Sequence, residues 1–162
     1  MRQSRQLTVV VFALVALLAS GCGGSGADPG AVGAGGSNAA SRTVQHAMGS
    51  TEITGTPERV VVLDTGELDS VLALGVTPVG AVRADAITGL QPYLAERTQG
   101  VTMVGTVRAP NLEEIAALQP DLILSNKLRH EQLYDEFSKI APTVFAETVG
   151  VAWKENFLLA GE

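Results

Sequence analysis

Val60-Val61-Val62-Leu63 is an unbroken apolar run with no polar position inside it. A strand wetted on one side alternates apolar and polar side chains, whereas a strand covered on both faces reads as continuous apolar sequence. The segment therefore belongs in a sheet with helices on both sides. Downstream residues supply the first helix: Thr65 is placed to cap it, Leu68, Val71 and Leu72 follow helical spacing, and Gly75 closes it. The unit then recurs. Strands are expected at Val76–Val82, Val101–Val104, Asp121–Ser125 and Thr143–Ala146, with helices at Gln91–Arg97, Asn111–Leu118 and Arg129–Ile140 between them. This pattern predicts a doubly wound α/β domain on a mainly parallel five-stranded sheet. Pro78 inside the second strand points to an edge position, because proline cannot donate to the ladder, and a 2-1-3-4-5 order places it there. Ahead of the sheet, Thr43 to Ile53 reads as a short β-hairpin turning at Met48-Gly49.

The segment before residue 43 has a different character. Arg2 and Arg5 precede an apolar run from Leu7 to Ala19, followed by Ser20, Gly21 and Cys22. Charged, apolar and small residues in that order make a secretory signal, and the run falls short of the roughly 20 residues that span a hydrocarbon core. Cys22 is the single cysteine, so no intramolecular disulfide can form. Leu18-Ala19-Ser20-Gly21-Cys22 resembles a lipobox, which makes Cys22 the acylated first residue of the exported chain; the plainer alternative is an ordinary signal with an incidental cysteine. Residues 22–42 are almost wholly Gly, Ala, Ser, Asn, Asp and Pro. They cannot bury enough surface to offset ordering entropy, and read as a disordered tether. The expected organisation is a lipoprotein signal at 1–21, the tether at 22–42, a globular lobe at 43–150 and the start of a further helix at 151–162.

Of 11 basic residues, Arg2 and Arg5 leave with the signal, so 9 face 17 acidic residues in the exported chain. This balance argues against nonspecific nucleic-acid binding. Four of those nine, Arg83, Arg108, Lys127 and Arg129, follow successive strands, on the rim where open α/β sheets bind ligands. Their grouping on an acidic domain points to an anionic ligand. Against it stands the general tendency of charged residues to collect in solvated loops, and the presence of Asp64, Glu67 and Asp69 after the first strand. Catalytic patterns are weaker still. His46 and His130 are read as surface or packing residues, the sole Cys belongs to the anchor, and no phosphate-cradling glycine loop is present. No enzyme activity is expected. A nucleotide- or flavin-binding enzyme module is the alternative from another class.

Five strings, in order, resemble the landmarks of the iron-siderophore substrate-binding proteins of ABC importers: Val44 to Thr51, Pro57 to Leu63, Leu72 to Gly80, Asn111 to Ile115, and Leu118 to Leu124. The resemblance covers the chain from about Thr43 onward. It implies the amino-terminal lobe of a two-lobed protein, with Trp153 to Phe157 beginning the connecting helix and the second lobe absent. It also implies capture of a ferric siderophore, delivery to a permease, a membrane lipid anchor, an extracytoplasmic location and a monomeric state. A haem or cobalamin carrier of the same architecture is the alternative within the class. No cofactor and no protein metal ligand are implied, since the siderophore itself saturates the iron. Arg83 and Arg108 match cationic contact positions, with Lys127 and Arg129 beside them. Trp153 either lines the cleft or packs at the base of the connecting helix. Glu113 matches the glutamate that docks against the permease, and Glu114 is expected to complete a capping box with Asn111.

Overall fold

The computed structural model describes residues 40–162. The signal, Cys22 and nearly all of the expected tether lie outside the described residues. Its central pair is β3 (Val60–Val62) and β7 (Leu122–Asn126), parallel, with Val60 opposite Leu122 and Val62 opposite Leu124. On one side β4 (Gly80–Arg83), β5 (Thr102–Thr106) and the two-residue β6 (Ala109–Pro110) follow; on the other lies β8 (Thr143–Ala146). Every pair is parallel except β5 with β6.

The alternation of side chains along each strand separates the core into two layers, as strand geometry requires. Val60, Val62, Ala81, Leu122, Leu124 and Val144 pack on one face, with Leu68, Val71 and Leu72 of α1 (Thr65–Ala73). Val61, Val82, Ile123 and Phe145 pack on the other. There they meet Ile115 of α2 (Leu112–Ala117) and Phe137 of α4 (Tyr134–Ile140). The doubly wound sheet expected from the apolar runs is thus the observed one. Helix α5 (Trp153–Gly161) adds Leu159 and Ala160 to the α1 face.

The strand order differs from the expectation. The five expected strands lie in the order 3-2-1-4-5, because Pro78 precedes β4 rather than sitting inside it. It occupies no ladder position, so β4 can be internal; the edge proline is Pro110 in β6. At the start of β4, a Cβ on Gly80 would lie 2.5 Å from Leu118 Cδ1, and glycine lets α2 close on the sheet.

Local elements also shift. Asp64, not Thr65, caps α1, its side chain accepting from Gly66 N. Gly75, at φ +86°, closes that helix in a Schellman turn: Gly75 N donates to Leu72 O and Val76 N to Val71 O. The expected helix at 91–97 shrinks to a single 3₁₀ turn, Pro92–Leu94. The helix expected from Arg129 to Ile140 is broken into α3 (Lys127–His130), a 3₁₀ turn and α4. At the break His130 leaves helical geometry at φ −129° while its ring turns inward.

The hairpin of β1 (Ser41–His46) and β2 (Gly49–Thr54) begins two residues earlier than expected and covers the β8 edge. Ala47 N donates to Phe145 O at 2.9 Å, and Thr51 Oγ1 donates to Thr143 O at 2.7 Å. His46 Nδ1 accepts from both Met48 N and Phe145 N at 3.3 Å, so its proton sits on Nε2, which donates to Thr51 Oγ1 at 2.9 Å. Burial lowers the His46 pKa, consistent with the neutral ring that this bonding requires. An exposed strand edge invites pairing with other chains, and here it is closed by the chain's own hairpin.

Thr51→Val keeps the side-chain shape but strands Thr143 O and the His46 Nε2 proton. Urea unfolding at pH 7.5 is expected to show a loss of about 1–3 kcal/mol, the cost of an unsatisfied buried polar group.

Candidate functional site

All five parallel strands end on the same rim, and the residues leaving them gather there. Arg108 lies in the β5–β6 turn; Lys127 and Arg129 lie on α3, directly after β7. These three line one groove of about 470 Å³, together with His130, Glu131 and Leu133. Arg83 and Trp153 are not brought to it. Arg83 ends β4, and its Nη1 donates to Ile87 O at 2.6 Å, closing the turn that follows. Trp153 opens α5 and is 62% exposed, lining an apolar trough with Gly66, Ala73 and Phe157.

A buried polar layer underlies the cationic groove: Asp64, Glu67, Ser125, Asn126 and His130 are each at most 5% exposed. Asn126 Oδ1 accepts from Arg129 N at 3.1 Å, starting α3, while Asn126 Nδ2 donates to Glu67 Oε1 at 3.3 Å. His130 fixes the opposite wall. Its Nε2 can only donate to the carbonyl of Val107 at 2.7 Å, so Nδ1 of the neutral ring accepts from Ser125 Oγ at 2.6 Å. Burial holds the His130 pKa below its ordinary value. The turn carrying Arg108 is thereby pinned to the helix carrying Lys127 and Arg129.

The three cations are held differently. Arg108 Nε lies 3.8 Å from Asp85 Oδ2 and Lys127 Nζ 3.6 Å from Glu147 Oε1, with Arg108 84% and Glu147 70% exposed. Surface pairs of this kind contribute about 0–1 kcal/mol and yield readily to a competing anion. Arg129 Nε instead meets Asp64 Oδ2 at 3.2 Å, and that carboxylate is only 6% exposed. Of the acidic residues after the first strand, Asp69 is exposed and accepts from the Tyr93 hydroxyl at 2.9 Å, while Asp64 and Glu67 are beneath the cationic groove. Their signal in the sequence was polarity at Ser125-Asn126, directly after the apolar Leu122-Ile123-Leu124.

Away from the groove, Asn111 caps α2 by accepting from Glu113 N and Glu114 N at 3.1 and 3.3 Å. The reciprocal half of the expected capping box is not formed, because Asn111 N donates to Val104 O at 2.9 Å and is already satisfied. Glu113 and Glu114 are both exposed in the first turn.

Glu67 is the most perturbed acid of the layer. Burial, and then the Asp64 charge, raise its pKa from 4.5 to about 7; Oε2 has no hydrogen-bond partner among the described residues. The raised value means that the folded state holds a proton between pH 4.5 and 7 which the unfolded state has lost. Stability from this group is full below pH 4.5 and declines as pH rises through 7. Glu67→Gln, neutral at every pH, is expected to exceed the wild type at pH 8 by roughly 2–3 kcal/mol and to match it near pH 4.5. Denaturant titrations of both proteins at the two pH values check this.

The family model for periplasmic binding protein matches residues 60–162. The probable siderophore-binding lipoprotein YfiY of Bacillus subtilis is 46% identical over 124 residues, which are 76% of this chain and 38% of YfiY. The Fe(3+)-citrate-binding protein YfmC of the same organism is 41% identical over 135 residues, 83% of this chain and 42% of YfmC. Among solved structures, Staphylococcus aureus SirA complexed with staphyloferrin B aligns with a TM-score of 0.71 at 46% identity. That alignment covers 74% of this chain and 41% of SirA. The chain thus spans about two fifths of the length of these relatives. From the central strand to the last helix it matches one family model, and the chain belongs to the periplasmic binding protein family.

Proposed function

We propose that this chain is the ligand-gripping lobe of a substrate-binding component of an ABC importer, which captures a ferric siderophore and hands it to the permease. The observation that carries the reading is the cationic groove of Arg108, Lys127 and Arg129 at the carboxyl ends of the strands, in a chain of net charge −6. Ferric chelates present anionic or strongly polar oxygens on their outer surface, and such groups are bound by guanidinium and ammonium donors. The named relatives are siderophore- and ferric citrate-binding proteins, which favours ferric chelates over haem or cobalamin. The role is binding, not catalysis. The chelator saturates the iron, so the protein needs no metal ligand of its own.

Cys22 is the proposed lipid attachment site, holding a monomeric protein on the outer side of the cell membrane. YfiY carries the description lipoprotein, and among the described residues no helix is long and apolar enough to cross a membrane. Two or more acyl chains hold a protein firmly where one does not. Glu113 is the proposed permease contact, exposed on the first turn of α2 and, among the described residues, hydrogen-bonded through its backbone and not its carboxylate, with its N–H donating to Asn111 Oδ1.

Two outcomes test these assignments in the full-length protein. Titration with ferric citrate and ferric staphyloferrin B, followed by Trp153 fluorescence or calorimetry, should show binding that weakens by about 1–3 kcal/mol in the double variant Arg108→Ala, Lys127→Ala. Unchanged affinity would remove both from the site. Glu113→Ala should lower cellular uptake of the ferric chelate while leaving its affinity and the melting temperature unaltered; a loss of affinity instead would place Glu113 elsewhere in the mechanism.

A further inference from the structure

Of the three groove cations, one has a mounting unlike the others. Asp64 is fixed twice over: Oδ1 accepts from Gly66 N at 3.1 Å as the cap of α1, and Oδ2 accepts from Arg129 Nε at 3.2 Å. Its side chain is 6% exposed, so it has no room to change rotamer without uncapping the helix. Arg129 is held at the other end as well, since Asn126 takes its backbone N–H. Its two Nη groups make no hydrogen bond among the described residues, and the residue lines the groove at 43% side-chain exposure.

We propose that Asp64 is a positioning residue for ligand recognition, holding Arg129 by Nε so that its Nη1/Nη2 fork is presented to paired oxygens of the ligand. The inference rests on the groove being the chelate site. A guanidinium offers five donors in one plane, and fixing Nε orients the remaining four. Restraint before binding removes an ordering cost that would otherwise reduce affinity. Arg108 and Lys127, whose partners lie in solvent, supply charge without direction. Arg129 supplies direction, and the ligand class it selects carries two neighbouring anionic oxygens on one group, as a free carboxylate does.

The charge of Asp64 has an opposite effect to weigh. A carboxylate beside a cation weakens its pull on an anion, so a purely electrostatic role predicts tighter binding when Asp64 is neutralised. A purely structural role predicts no change in Asp64→Asn, because asparagine is as good a helix cap as aspartate. Only positioning predicts a loss. Asp64→Asn and, as a second cap-preserving variant, Asp64→Ser are to be compared with wild type in the full-length protein, with ferric citrate and ferric staphyloferrin B as probes.

Affinity is expected to fall about tenfold in both variants, the scale of one charge-assisted contact, with thermal stability little changed. In an Arg129→Lys background, which has no Nε fork to orient, Asp64→Asn should have no further effect. The Arg129 Nε–H resonance, slow to exchange in wild type, should exchange rapidly in Asp64→Asn with or without ligand. Wild-type affinity or tighter binding in the Asp64 variants, or an equal loss in the Arg129→Lys background, would overturn the positioning role alone. Failure of the wild type to bind either probe would instead overturn the chelate-site reading and this inference with it.

Discussion

The parallel pairing of β3 with β7 is the contact on which the remaining structure depends. Val60, Val61 and Val62 lie opposite Leu122, Ile123 and Leu124, and these residues feed both layers of the core. Parallel strands far apart in sequence gain nothing until a long loop is closed, so their register needs independent locks. At the entering end Asp121 accepts from the backbone N–H groups of Glu58 and Arg59, while Arg59 donates to the carbonyls of Leu118 and Gln119, just past the end of α2. At the leaving end Asn126 reaches Glu67, and Asp64 reaches Arg129. Two of the strings that resemble family landmarks, Pro57 to Leu63 and Leu118 to Leu124, are the two halves of the first lock.

The second lock doubles as the foundation of the site. Polar side chains withdrawn from water must be satisfied, and Asp64, Ser125 and Asn126 at the strand ends each find a partner on α3, the helix that carries two of the groove cations. Asn126 starts the helix bearing Lys127 and Arg129; His130 ties that helix to the turn bearing Arg108. Glu67 remains half-satisfied, with one oxygen unpartnered among the described residues and a pKa displaced to about 7. A buried network with an imperfectly met member costs stability, which proteins tolerate where the network serves a site.

Burial also decides which charges matter. Arg108 and Lys127 have exposed partners, and in the high dielectric of the surface such pairs leave little net energy after the cost of ordering two side chains. Arg129 has a partner inside the protein, and pairing there is directional. An acidic chain can therefore hold a local cationic groove without forfeiting it to neighbouring carboxylates, because the nearest of them, Asp64, is immobilised on the far side of the guanidinium.

The amino-acid sequence by itself determined the layered α/β architecture, since Val60 to Leu63 and Leu122 to Leu124 lack any polar position and must be covered on both faces. It determined equally the closure of α1 at Gly75, the cap at Asn111 and the collection of cations after the strands. Strand order was not legible, because Pro78 reads as part of a strand until the ladder shows β4 starting at Gly80. Nor was the break at His130, whose helical spacing continues through a position where only the tertiary partners Ser125 and Val107 draw the ring inward. The separation of Arg83 from the other three cations likewise depends on a turn closing around Ile87. Periodicity records which face of an element is apolar; which loop end meets which, and which carboxylate lies beneath which guanidinium, is decided only when distant segments pack.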